Sequence, residues 1–247
     1  MTRRPVSARR TGSRHSVEWK TARFGHTRGG SVARVLDLLL PRRCVVCRAN
    51  GAQLCARCRD ALPPLTPPLC ELCGAPTAWP VARCRECSGR AIAFVRARAA
   101  VAYEDDVRRL VRSWKERGLR GLAEVAAEVV VARLPPPAAE VVTFVPGDAW
   151  RSRQRGHRPA ERLARALAAR WELPCEPLLR RTGHARRQRG LGREERRRNP
   201  GFAALARPVS AVLVDDVYTT GATAHAAAKA LGGRVEVVTF ARTVRRA

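Results

Sequence analysis

The sequence predicts an α/β protein, a parallel sheet with helices on both faces, preceded by a small cysteine-rich region. Three observations carry that expectation. From Ile92 onward, apolar runs of strand length alternate with segments of helical periodicity. Ahead of that alternation, eight of the nine cysteines fall into four Cys-x-x-Cys pairs. Finally, the apolar run from Ala211 to Val214 stops on Asp215 and Asp216 and leads into a turn rich in Thr and Gly.

The chain of 247 residues has room for one ordinary domain plus a small one. Residues 1–31 read as a basic disordered tail, with Glu18 the one acid among the first 30 residues. They lack the apolar middle of a secretory signal, although a transit peptide or an over-extended gene start shares their composition. No segment approaches the roughly 18 apolar residues that span a bilayer. The expected location is cytoplasmic.

Residues 32–91 hold the paired cysteines: Cys44/Cys47, Cys55/Cys58, Cys70/Cys73 and Cys84/Cys87. Two residues between thiolates let one tight turn aim both sulfurs at a single tetrahedral ion, and two such turns complete a four-thiolate zinc site. Four pairs therefore specify two zinc ions, structural because thiolates occupy every position. Pro63, Pro64, Pro67 and Pro68 separate the first four cysteines from the second four. That favours sequential ribbons, Cys44, Cys47, Cys55 and Cys58 on one zinc and Cys70, Cys73, Cys84 and Cys87 on the other; a cross-braced pairing is the alternative. Disulfides need an oxidising compartment, and nothing signals export. Redox chemistry uses one such pair on a strand–helix unit, not four; an iron–sulfur cluster is the other rival. Cys175 stands alone as a buried or half-buried free thiol.

Residues 92–247 carry the alternation. Residues 94–103 read as a strand or hairpin. Asp106 to Glu116 is an amphipathic helix with Val107, Leu110, Val111 and Trp114 on one face, and Leu122 to Leu134 is a second, stopped by Pro135. Val141 to Val145 is a buried strand ending at Pro146. Pro159 to Trp171 is a third helix, followed by a long Arg-rich loop. The strand around Val212, a helix running to Gly232 and a strand from Val235 to Phe240 complete the series. In such sheets the ligand lies beyond the carboxyl ends of the strands, so the loops after Val145 and Val214 should share one edge.

Those two loops carry the candidate chemistry. In the second, a helix start, the flexibility of Gly221 and the hydroxyls of Thr219, Thr220 and Thr223 suit a phosphate. Asp215 and Asp216 at its mouth suit the vicinal hydroxyls of a ribose. A strand whose Asp and Thr residues merely cap the next helix is the plainer alternative. In the first loop, Pro146, Gly147, Arg151, Arg153 and Arg155 offer a close backbone and forked cations for a leaving pyrophosphate. Arg155 is set apart by Gly156 at the loop–helix junction.

Net charge is +27, from 45 Arg and 3 Lys against 21 acids. Nucleic acid or another polyanion is thus a candidate partner, although coding bias towards Arg and phosphorylated substrates explain part of the excess. Aromatic residues are scarce and not interleaved with the Arg runs, so no stacking platform for single strands is evident.

Residues 212–223, Val-Leu-Val-Asp-Asp-Val-Tyr-Thr-Thr-Gly-Ala-Thr, resemble the phosphoribosyl pyrophosphate (PRPP) motif of type I phosphoribosyltransferases. With the cysteine pairs, the opening Leu38–Cys47, Trp114-Lys115, Val145-Pro146 and Arg155-Gly156, the chain from about residue 32 to 245 resembles the ComF, or competence protein F, family. Gln188, Leu191, Arg196 and Asn199 match that family's flexible loop. The resemblance implies a double zinc ribbon before a type I phosphoribosyltransferase-like domain. It implies PRPP held with Mg²⁺ by Asp215, Asp216, Val217, Tyr218, Thr219, Thr220, Gly221, Ala222, Thr223, Pro146 and Gly147, with Arg155 and Lys115 as catalytic residues. It also implies a setting in competence and DNA uptake, with single-stranded DNA and a helicase-type ATPase as partners; a homodimer is left open. His157, Arg158, Gly183 and Ala185 depart from the family pattern. Thr219 replaces the Asp that serves purine-salvage members as a base, which argues against a purine acceptor. The rival reading is a non-catalytic zinc-ribbon adaptor that binds DNA or a helicase and senses a phosphoribosyl ligand.

Overall fold

The computed structural model describes residues 42–148, 157–182 and 201–244, all within one compact unit. At its centre lie four parallel strands: β1 (Arg96–Ala102), β2 (Val141–Phe144), β5 (Ser210–Tyr218) and β6 (Arg234–Arg242), in spatial order β1-β6-β5-β2. Side chains alternate across this sheet. Val212, Val214, Val238 and Phe240 face one core, whereas Ala211, Leu213, Val235 and Val237 face the other. A parallel sheet buried on both faces explains why these segments read as continuous apolar runs.

Three helices cover the first face: α2 (Asp105–Glu116), α3 (Leu122–Arg133) and α4 (Pro159–Trp171). Trp114 of α2 is fully buried, and Pro159 begins α4 where its missing N–H costs nothing. The second face is covered by α5 (Ala222–Leu231). Alanines Ala224, Ala227 and Ala228 let α5 lie close to the sheet.

The cysteine segments pack on opposite faces. Cys44, Val45, Leu54 and Leu62 join the core under α2, α3 and α4. Cys70, Cys73, Cys87 and Phe94 join the core under α5. A short helix, α1 (Ala56–Asp60), lies in the first segment.

Two expectations need correction. The strand around Val212 does not stop at the acid pair: β5 continues through Asp215 and Asp216 to Tyr218, because β6 keeps pairing with it as far as Tyr218↔Arg242. And the stretch after Trp171 is not all loop. Strands β3 (Leu179–Arg181) and β4 (Phe202–Ala204) pair antiparallel, and the Thr182 amide donates to the Gly201 carbonyl at 3.1 Å. Residues 1–41, 149–156, 183–200 and 245–247 lie outside the described residues. No helix among the described residues is long and apolar enough to cross a membrane.

Candidate functional site

The eight paired cysteines form two four-sulfur clusters, Cys44/Cys47/Cys55/Cys58 and Cys70/Cys73/Cys84/Cys87, with the sulfurs of each within 4.8 Å of one another. The pairing is sequential. Neighbouring sulfurs lie at 3.7 Å for Cys47–Cys55, 3.7 Å for Cys70–Cys87, 3.5 Å for Cys73–Cys84 and 3.8 Å for Cys84–Cys87. Four zinc–sulfur bonds of about 2.3 Å at tetrahedral angles would separate sulfurs by about 3.8 Å. The clusters therefore have the dimensions of zinc sites, and the sulfurs stand too far apart for disulfides, at about 2.0 Å.

Each cluster begins with the same knuckle. Cys44 N donates to Ala49 and Arg48 N to Cys44; likewise Cys70 N donates to Ala75 and Gly74 N to Cys70. Burial alone would raise these thiols. In Cys44 and Cys70 backbone donors outweigh burial and hold the thiols at about 6 and about 7. Cys58 and Cys87 are pushed up to about 12 and about 11 by burial and by their neighbouring sulfurs. Four thiolates so close need a cation to carry their shared charge.

Residues 35–88 match a family model described as a double zinc ribbon domain. A double zinc ribbon is thus present, and its eight cysteines form two four-sulfur sites consistent with two structural zinc ions. No curated protein matches the chain.

A second constellation occupies the carboxyl edge of the sheet. Parallel register brings the ends of β2, β5 and β6 together there, with Phe144 beside Val214 and Tyr218 beside Arg242. Lys115, from the last turn of α2, reaches Asp216 with Nζ–Oδ1 at 2.7 Å. The Asp215 carboxylate accepts from the Asp216 amide at 2.9 Å. Burial and then the neighbouring Asp216 push the Asp215 carboxyl up to about 7, against the pull of Lys115 and Arg181. Burial opposes the charge on Lys115, but Asp216 outweighs it and raises the ammonium above its usual value. The acid pair is therefore unequal: Asp216 is held by a cation, and Asp215 sits at the edge of protonation near neutrality.

The following turn is tightly specified. Gly221 has φ of 76°, and a Cβ there would collide with the Tyr218 ring and hydroxyl, so only glycine fits. Ala222 N donates to the Thr220 hydroxyl at 3.4 Å, and α5 has no side-chain cap. Thr219 and Thr220 are exposed, whereas the Tyr218 side chain is buried. Asp215, Val217, Tyr218, Thr219, Gly221, Thr223 and Ala224 line one small pocket with Thr239. The structure thus brings Lys115 together with the acid pair and the turn. Pro146 lies just past the end of β2 at the same edge, its carbonyl accepting from Arg181 Nε at 3.0 Å, and Gly147 is exposed. Arg151, Arg153, Arg155, Gln188, Leu191, Arg196 and Asn199 lie outside the described residues.

Two residues here lie outside the set of site residues that the sequence predicts. Arg181 of β3 is one arginine among many, and its charge acts on Asp215. His157 departs from the family pattern, yet it is buried and its Nε2 lies 2.8 Å from the Trp114 carbonyl, next to Lys115. It ties the start of α4 to the end of the helix that carries the lysine.

Proposed function

We propose that the carboxyl edge binds a phosphoribosyl group, with PRPP and Mg²⁺ the complete ligand, in a ComF-type phosphoribosyltransferase-like protein. The observation that carries this reading is the Lys115–Asp216 pair at 2.7 Å beside a turn that only Gly221 can make. Asp215 and Asp216 would accept the ribose 2- and 3-hydroxyls. The Thr219–Thr223 turn, with the N-terminus of α5, would hold the 5-phosphate through backbone N–H groups and hydroxyls. Mg²⁺, held largely by pyrophosphate oxygens, would neutralise leaving-group charge. Lys115 is already charged at this edge, and Arg155 would add a second cation as the bond to the anomeric carbon breaks through an oxocarbenium-like state. The segment Arg180 to Asn199, long, Gly-broken and basic in sequence, would exclude water from that step.

By the same resemblance, the setting would be competence and DNA uptake, with single-stranded DNA and a helicase-type ATPase as partners. The adaptor reading is favoured by a different observation. Arg43, Arg48 and Arg57 are exposed on the first ribbon, a surface suited to nucleic-acid phosphates.

Isothermal titration with PRPP and Mg²⁺, followed by pyrophosphate release in an acceptor screen, tests the reading. In an enzyme, Arg155→Ala and Lys115→Ala should slow pyrophosphate release more than they weaken PRPP binding, because leaving-group charge grows in the transition state. In an adaptor they should change only affinity, and DNA binding should fall steeply with salt. Absence of PRPP binding would remove the phosphoribosyl assignment.

A further inference from the structure

We propose that Arg242 is a positioning residue that couples the second zinc site to the Thr219–Thr223 turn, so that metal in the ribbon and phosphate in the turn stabilise each other. The phosphate half of this inference rests on the function proposed above; the coupling of the ribbon to the turn rests on contacts within the fold.

Arg242 ends β6 and is almost completely buried, 1% exposed. A buried guanidinium needs acceptors, and three of the contacts made by Arg242 through Nη1 and Nη2 come from the second ribbon, while its Nε is left without one among the described residues. Nη1 donates to the Cys73 carbonyl at 2.5 Å, Nη2 to the Glu86 carboxylate at 2.6 Å, and Nη2 also approaches the Cys73 sulfur at 3.8 Å. Cys73 is a ligand of the second cluster, and Glu86 lies inside its last Cys-x-x-Cys pair. The guanidinium is therefore placed by the knuckles that the metal would fix, and it would donate to one of the metal's own thiolates.

The guanidinium's other side meets the turn. Its carbon lies 4.7 Å from the centroid of the Tyr218 ring, whose edge packs on Phe94 with centroids 6.3 Å apart. That ring is the floor beneath Gly221. A displaced Tyr218 would either strike the turn or leave it unsupported. A second strut runs in parallel: Arg90, just past Cys87, donates to the Thr220 carbonyl at 3.0 Å and to the Glu86 carbonyl at 3.1 Å. No described contact of this kind links the first cluster to the turn. The coupling is thus specific to one metal, and it must act in both directions.

The test uses the full chain with both sites loaded with ¹¹³Cd, so that each cluster gives its own NMR resonance. Arg242→Met and Glu86→Gln are the variants, Glu86→Gln because it keeps shape and removes only the charge, and Arg242→Lys is the conservative rescue. Hydrogen exchange is followed at residues 217–224 and, as the control for general loosening, at residues 141–144. The expected result is a shifted resonance for the second site only, and about tenfold faster exchange in the turn with the control strand unchanged. Arg242→Lys should recover part of this protection. Ribose 5-phosphate should bind about tenfold more weakly to Arg242→Met, and its addition to the parent chain should slow chelation of the second metal but not the first. Unchanged turn exchange in both Glu86→Gln and Arg242→Met would overturn the coupling, as would equal loosening of turn and control strand. If the parent chain does not bind ribose 5-phosphate, the phosphoribosyl reading fails, and exchange alone decides the coupling.

Discussion

The two zinc ribbons start from the same knuckle and end in different relations to the sheet. In the first, the left-handed position after the second cysteine is Arg48, with φ of 67°, and Cys47 is exposed. In the second, the equivalent position is Gly74, where a Cβ would stand 2.6 Å from the Ala97 carbonyl of β1. Arg48 can carry a side chain because that knuckle faces solvent; Gly74 cannot, because β1 runs against it. The first ribbon meets the helical face through Leu54, Leu62 and peripheral polar contacts such as Arg133 with the Leu62 carbonyl, 3.0 Å. The second joins the sheet backbone to backbone, Ala97 N to Leu72 O at 2.7 Å, and reaches the ligand edge through Arg90 and Arg242. Equal metal chemistry thus serves unequal purposes. One ribbon presents a surface and the other supports the candidate site.

Metal removal gives the largest effect and the sharpest contrast. Purified protein should contain two zinc ions per chain by elemental analysis, and structural zinc supplies on the order of 10 kcal/mol of folding free energy per site. Replacing Cys70 and Cys73 with Ser should release one ion and loosen the turn at 219–223. Replacing Cys44 and Cys47 should release one ion and leave exchange in that turn nearly unchanged. Equal consequences for the turn would erase the distinction between the ribbons.

Next in size is the ligand edge. Changing Asp215 and Asp216 together to Asn should weaken PRPP binding by about 2–4 kcal/mol, from charged hydrogen bonds of about 1.5–3 each with incomplete additivity. Calorimetric titration reads this directly, and unchanged affinity would mean that the acids serve the fold alone. Gly221→Ala should cost about 1–3 kcal/mol, because it forces a side chain into a left-handed position against Tyr218. Chemical denaturation measures that cost.

The pH dependence has a defined sign. Burial and the neighbouring Asp216 push the Asp215 carboxyl up to about 7, above the ordinary carboxylate value of about 3.9. Its contribution to stability is therefore fully present below about pH 4 and is lost as pH rises through about 7. Ligand binding runs the other way, since ribose hydroxyls need the ionised acceptor. Affinity for ribose 5-phosphate should rise between about pH 6 and about pH 8, and Asp215→Asn should remove the part of that rise beyond the ligand's own titration. The smallest effect belongs to the first ribbon. Arg59 meets Glu128 of α3 at 3.5 Å with both side chains largely solvated, so Arg59→Ala should change stability by less than about 1 kcal/mol.

The sequence alone determined what is local. Paired cysteines at fixed spacing specify tetrahedral sulfur sites because two intervening residues make one tight turn, and Pro159 to Trp171 is a helix with the bounds that its pattern predicts. The acid pair and the Gly-Thr turn were visible for the same reason, since each needs only its neighbours. What tertiary structure decided is everything that depends on pairing across the chain. The strand β5 runs past its acids because β6 keeps pairing with it as far as Tyr218, and β3 and β4 exist because two short segments separated by the Arg-rich stretch find each other. No spacing in the sequence puts Arg242 under Tyr218 and against Cys73, or one zinc ribbon on each face of the sheet. A guanidinium among 45 arginines has no distinguishing mark until burial removes its water and leaves it with Glu86 and Cys73.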